Sequence, residues 1–353
     1  MNEVKYLVVK GIAGLGNRIL SALTGIMYAR LTARKLIIDW SDPAYSKNGT
    51  NVFHDLFLCT LCDPADKMPA TDSVSPAVWK GSLHKSATSM KEPYKNNTVF
   101  LQNTSIDLTK LNYEEELMVM WAYHGEVDQL RGHFIEAYEE YVSMSKEAIL
   151  SRLLREDLIL HPQIQSRVNK IKHKEFNRNT VGVHIRYTDH RASLLATLDK
   201  LNALLRSKPD LQVFVATDNI QIKNMFEENY PGVITTPHWY PKPGSRIHNN
   251  RACPDSFVSG IKSLVDLYLL AECDYLIVDS SSTFSYLAML LTSAPKANVF
   301  DVSRGEKLSP KIRHLSWRLM LRLGLFSWGL LSLNKLLKIL NYTKPKKEFN
   351  TDR

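Results

Sequence analysis

"YLVVKGIAGLGNRILSALTGIMYARLTARKLIIDW", Tyr6 to Trp40, is the stretch that decides the fold class. Tyr6 to Val9 is a short apolar run of strand type. Gly11 to Asn17, "GIAGLGN", is a glycine-rich turn. Ile19, Leu20, Leu23, Ile26, Met27 and Leu31 then recur at helical spacing, and Lys35 to Trp40 is a second buried-type strand. Strand, turn, helix and strand open a βαβ unit, with its loop at the carboxyl end of the first strand.

Residues 41–112 are polar, rich in Pro, Ser, Thr and Asn, and weakly periodic. This composition predicts long loops with short elements. Leu117 to Tyr123 reads as a buried strand. Helical patterns follow to Lys174, with Pro162 breaking or restarting one of them. A second α/β unit comes next. It has strands at Thr180–Ile185, Leu211–Thr217 and Tyr275–Asp279, and helices at about Ser193–Ser207 and Ile261–Leu270. The alternation predicts an α/β protein with two Rossmann-like domains facing across a cleft.

The 353 residues are 44% hydrophobic and 23% charged, a balance that supports a packed core without staples. The formal charge of +9 is unevenly placed: Arg304 to Lys347 holds eleven Lys/Arg against one acid, Glu306. The body is therefore near neutral, and no nucleic-acid partner is expected. Of four cysteines, Cys59 and Cys62 form a single CxxC, while Cys253 and Cys273 stand alone. The expectation is reduced thiols rather than a zinc or redox centre. The first residues lack an apolar run of signal-peptide length, which predicts a cytoplasmic protein.

Three motifs fall at the carboxyl ends of predicted strands, where open α/β sheets bind ligands. In "HIRYTD", His184 to Asp189, Arg186 offers a planar, permanently charged fork suited to a diphosphate. In "ATDN", Asp218 and Asn219 can hydrogen-bond a base or ribose, or can simply cap a helix. In "DSSSTFS", Asp279 to Ser285, small hydroxyl residues at a helix start leave N–H groups free for phosphate. The N-terminal loop, with Gly11, Gly14 and Gly16 and with Asp39 ending the next strand, invites a dinucleotide reading. Its order, however, is G-x-x-G-x-G, and Asn17-Arg18 follows.

"GLGNR", "VGVHIRYTD", "VFVATDN" and "LVDLYLLAECDYLIVDSSSTFSYLA" occur in the order and spacing of a fucosyltransferase superfamily, which the chain resembles over roughly Tyr6 to Leu290. That superfamily includes the rhizobial nodulation and core α-1,6-fucosyltransferases and the protein O-fucosyltransferases. The resemblance implies a GT-B fold and metal-independent, inverting transfer from GDP-fucose, with no cofactor. By position it implies that Arg186 holds the donor diphosphate, and that His184, Asp189, Asp218 and Asp266 contact the nucleotide or support that arginine. Ser281, Ser282 and Thr283 fall on the phosphate-contacting segment, and Gly14, Gly16 and Asn17 on the loop that closes over the diphosphate. The chain departs from its relatives at Tyr187, where α-1,6 enzymes often carry a second basic residue. It also has Leu194 where a gap-free count places the glutamate base of the core enzymes.

The expected organisation is an acceptor-side domain over residues 1–174, a GDP-sugar-binding domain over 175–310 and a basic, apolar tail over 311–353. Asp189 and His190 lie nearest the arginine motif as candidate bases, and Asp39 is expected to face the cleft from the other domain. Lys311 to Leu340 mixes basic residues with Leu, Phe, Trp317 and Trp328. Its most apolar portion is shorter than the ~20 residues that span a bilayer, so it is expected to lie on an anionic inner membrane face. A lipid-linked surface glycan would then be the acceptor. The rival readings are an NAD-dependent oxidoreductase and a non-catalytic nucleotide- or glycan-binding protein.

Overall fold

The structure, a computed structural model, describes residues 4–46, 48–65, 67–97, 103–134, 138–188, 194–242, 245 and 250–305. The tail at 311–353 and the candidate bases Asp189 and His190 lie outside the described residues.

Two four-stranded, wholly parallel sheets organise the chain. The first has the order β2-β1-β5-β4, from β1 (Tyr6–Lys10), β2 (Lys35–Asp39), β4 (Val74–Ser75) and β5 (Leu117–Met120). The second has the order β10-β9-β7-β8, from β7 (Thr180–Ile185), β8 (Gln212–Thr217), β9 (Tyr275–Val278) and β10 (Val299–Asp301). Central strands β5 and β7 are buried at every position, because helices and loops cover both sheet faces. A small antiparallel pair, β3 (Phe57–Cys59) with β6 (Leu158–Leu160), stands apart from both.

The longer helices are α1 (Leu15–Thr32), α2 (Lys146–Glu156), α3 (Pro162–Glu175), α4 (Leu194–Ser207), α5 (Ile220–Asn229), α6 (Ser256–Ala271) and α7 (Thr283–Leu291). Pro162 does restart a helix: it sits in the first turn of α3, where its missing N–H costs nothing, behind a His161 cap. Helix α6 starts five residues before the expected Ile261, behind Asp255, whose side chain accepts from the Val258 N–H.

One apolar cluster runs through both halves. It joins Leu7, Val9 and Ile38 of the first sheet to Phe214, Leu276 and Val278 of the second. Helices α2 and α7 pack across this junction, where Ser151 Oγ donates to the Leu290 carbonyl at 2.7 Å. Helix α1 also packs on α7. The carboxyl ends of β1, β7, β8 and β9 are thereby brought around one cleft.

Among the described residues, Cys59, Cys62, Cys253 and Cys273 are all free thiols. No described helix is long and apolar enough to cross a membrane.

Candidate active site

The cleft is an open concavity between the two halves of the chain. Gly14, Gly16 and Asn17 line it from the first half, and His184, Arg186, Asp218, Asp266 and Thr283 line it from the second. These eight residues, singled out in the sequence, are separated by up to 269 positions and meet at one place.

Two helix N-termini converge there. Helix α1 begins at Gly14 and α7 at Ser282, and neither has a side-chain cap or an acidic residue in its first turn. Their first N–H groups and the positive ends of their dipoles are therefore available to a ligand. Thr283 Oγ1 donates to Asn17 Oδ1 at 3.2 Å, so the two ends touch directly. Gly16 makes this approach possible, because a Cβ there would come within 2.6 Å of Thr283 Oγ1 and 2.8 Å of its carbonyl carbon. Arg186 adds a full positive charge to the two partial ones. Such a site favours a compact polyanion.

Asp218 organises the turn after β7. Its Oδ1 accepts from the Tyr187 N–H and its Oδ2 from Thr188 Oγ1, both at 2.6 Å, which fixes the backbone carrying Arg186. Asn219 is not among the cleft-lining residues. It caps α5, its Oδ1 accepting from the Gln221 and Ile222 N–H groups, and its Nδ2 donates to the Tyr187 carbonyl. Asp266 accepts from Thr236 Oγ1, and its Oδ2 lies 2.7 Å from His238 Nε2 without hydrogen-bond alignment. Ser281 and Ser282 also fall outside the lining. Ser281 Oγ donates to Asp279 Oδ1, while the Ser282 hydroxyl is buried with no hydrogen-bond partner among the described residues.

His184 lies against the arginine, with Nδ1 2.6 Å from Ser285 Oγ and its ring packed on Phe284. Burial, reinforced by the Arg186 charge, pulls its imidazole down to about 3. It is therefore neutral at physiological pH and a poor proton acceptor, and its place is to hydrogen-bond rather than to deprotonate.

The features that suggested a dinucleotide are used within the protein. Asp39 does not face the cleft as a free carboxylate: it is buried and paired with Lys10 Nζ at 2.5 Å. That ammonium holds its carboxyl below the usual range against the cost of burial. Arg18 is wholly buried; its Nη2 donates to both Asp42 oxygens, at 2.8 and 2.6 Å. Gly11 leaves room for it, since a Cβ there would meet Arg18 Nη1 at 2.1 Å.

Tyr45, Thr188, Thr217 and His238 also line the cleft and were not singled out in the sequence. Thr188, inside "HIRYTD", and Thr217, ending a strand in "ATD", carried a signal that could have been read; Tyr45 and His238 did not.

Residues 145–309 match the family model described as Nodulation protein Z (NodZ). The chain is similar to the NodZ fucosyltransferases. The matched span contains every cleft residue of the second half. Nodulation protein Z of Azorhizobium caulinodans is 23% identical over 336 residues, covering 86% of this chain and 93% of that protein. A probable fucosyltransferase 9 of Arabidopsis thaliana is 25% identical over 310 residues, covering 81% of this chain and 60% of the plant protein. The fold is shared with a crystal structure of NodZ α-1,6-fucosyltransferase soaked with GDP-fucose. The TM-score is 0.56 at 22% identity, covering 82% of this chain and 93% of that one. The expectation of a glycosyltransferase of the fucosyltransferase superfamily is thus borne out, and the oxidoreductase reading is not favoured.

Proposed function

We propose that the chain is an inverting glycosyltransferase that moves L-fucose from GDP-fucose to a hydroxyl of a glycan. The observation that carries this reading is the convergence of two uncapped helix N-termini and Arg186 on one cleft. A donor diphosphate is the part of a sugar nucleotide that such a site fits, and the NodZ relatives supply the identity of the sugar.

In the proposed reaction the acceptor oxygen forms a bond to the anomeric carbon as the bond from that carbon to the β-phosphate oxygen breaks. GDP leaves with both electrons of the broken bond. Charge grows on the β-phosphate oxygens, where Arg186 and the N–H groups of α1 and α7 stabilise it. The acceptor proton goes to Asp189 or His190, and Asp218 holds the turn after β7 that precedes them in the chain. Gly14, Gly16, Asn17, His184, Asp266 and Thr283 complete the donor site. Asn219, Ser281 and Ser282 support it from the layer behind. No metal ion is needed in this scheme, so transfer should survive EDTA; a loss restored by Mn²⁺ would overturn that part.

The organisation proposed is an acceptor-side domain to residue 174, a donor domain to 310, and a tail at 311–340 that lies on the cytoplasmic face of a membrane. There it would bring the enzyme to a lipid-linked acceptor. A thermal-shift comparison of GDP-fucose, GDP-mannose, UDP-glucose and NAD tests the donor, since a ligand that binds the folded chain raises its stability. GDP-fucose should stabilise and NAD should not. Arg186→Ala should abolish transfer, with a loss of about 2.7–4 kcal/mol in transition-state stabilisation. Near-normal turnover by that variant would reject the assignment.

A further inference from the structure

A second concavity lies beside the donor cleft. It is lined by Asp42 and Ser46 after β2, by Thr88 and Glu92, and by Arg251 and Ser256 at the entry to α6. Two elements run through both concavities. The turn Asp42–Ser46 gives Asp42 and Ser46 to the groove and Tyr45 to the cleft. Helix α6 gives Ser256 to the groove and Ser263 and Asp266 to the cleft. Ser256, Gly260 and Ser263 follow one another at steps of four and three, so they share a helix face. At ~1.5 Å per residue, Ser256 and Asp266 stand about 15 Å apart along it. The boundary is the contact of Tyr45 with Gly260, where a Cβ would come within 2.7 Å of the ring.

The groove is chemically mixed. Asp42 is already neutralised by Arg18. Glu92 engages Lys95 through one carboxylate oxygen. Among the described residues, the Thr88 and Ser256 hydroxyls have no hydrogen-bond partner and Arg251 has no ion pair. Hydroxyl, carboxylate and guanidinium groups in one groove, with no dominant charge, match the alternating donors and acceptors of sugar hydroxyls.

We propose that this groove is the acceptor subsite and binds a saccharide, whose reacting hydroxyl reaches the donor cleft past Tyr45. The inference rests on the transferase reading for its role, though not for its ligand chemistry. The test uses the full chain, with GDP present, on a printed array of neutral and acidic oligosaccharides, and measures GDP affinity separately by calorimetry. The wild-type chain should retain a subset of the saccharides. Thr88→Trp and Ser256→Trp, which fill the groove, should lose that subset while GDP affinity stays unchanged. Arg251→Ala, at an exposed position that leaves folding undisturbed, should weaken it about tenfold, a 1.4 kcal/mol effect. Saccharide binding that survives all three substitutions, or a wild-type chain that retains no saccharide, overturns the inference. A wild-type chain that fails to bind GDP overturns the donor reading instead, and the array still decides the groove.

Discussion

His184 and Arg18 show how single side chains carry the electrostatics of the site. The imidazole of His184 falls from 6.5 to about 3 on folding, chiefly through burial and secondarily through Arg186. The unfolded chain takes up that proton near pH 6.5 and the folded chain only near 3. This contribution to stability is therefore fully present above 6.5 and is lost as pH falls through that window. The slope is at most ~1.4 kcal/mol per pH unit. Urea melts at pH 4, 5 and 7 should show the decline, and His184→Gln should flatten it; an unchanged slope would assign the decline to other groups. Arg18 is the sole ion-pair partner recorded for buried Asp42 among the described residues. Arg18→Ala should cost about 3–5 kcal/mol in denaturant unfolding, because it strands a buried carboxylate. A loss near the ~1 kcal/mol of an exposed pair would mean that water already reaches Asp42.

At the scale of elements, the meeting of α1 with α7 controls donor affinity. Gly16→Ala places a methyl against Thr283 backbone, which cannot yield as a flexible side chain would. It should cost about 1–3 kcal/mol of stability and weaken GDP binding by moving the two uncapped ends apart. Gly132→Ala, where a Cβ meets nothing within 4 Å, is the matched control. Equal melting temperatures and GDP affinities for the two variants would remove Gly16 from the site. The same scale explains what the sequence made legible. Parallel strands covered on both faces are continuous apolar runs, so β1, β2, β7, β8 and β9 could be read directly, together with the loops at their ends. Arg186, His184 and Asp218 were visible for that reason. Strands β3 and β6 have three residues each, too few to show a period. The start of α6, "SFVSG", is small or polar at three of five positions, and its one local signal is the Asp255 cap, which apolar periodicity does not register. Tyr45 and His238 come from aperiodic loops, and tertiary packing alone brings them to the cleft. Asp39 was misread because the Lys10 that neutralises it looked like an ordinary strand residue.

Across the whole molecule, the proposed division of labour puts catalysis in the body and delivery in the tail. Full-length protein should co-sediment with anionic liposomes at low salt, and a chain ending near Ser309 should not, provided that its body still melts cooperatively. Equal recovery of both in the supernatant would leave the tail to pack on the body. The two helix ends and Arg186 have a further consequence. On the proposed reading, everything they grasp departs with the nucleotide, and the sugar contributes little to the hold. Spent GDP should therefore occupy the enzyme about as tightly as fresh donor. Initial-rate kinetics should show it competing with GDP-fucose at an inhibition constant close to the donor KM; a constant far above that KM would locate the grip on the sugar instead. Throughput in a cell would then follow the ratio of charged to discharged nucleotide rather than the supply of donor alone, making any phosphatase that clears GDP a throttle on glycan synthesis.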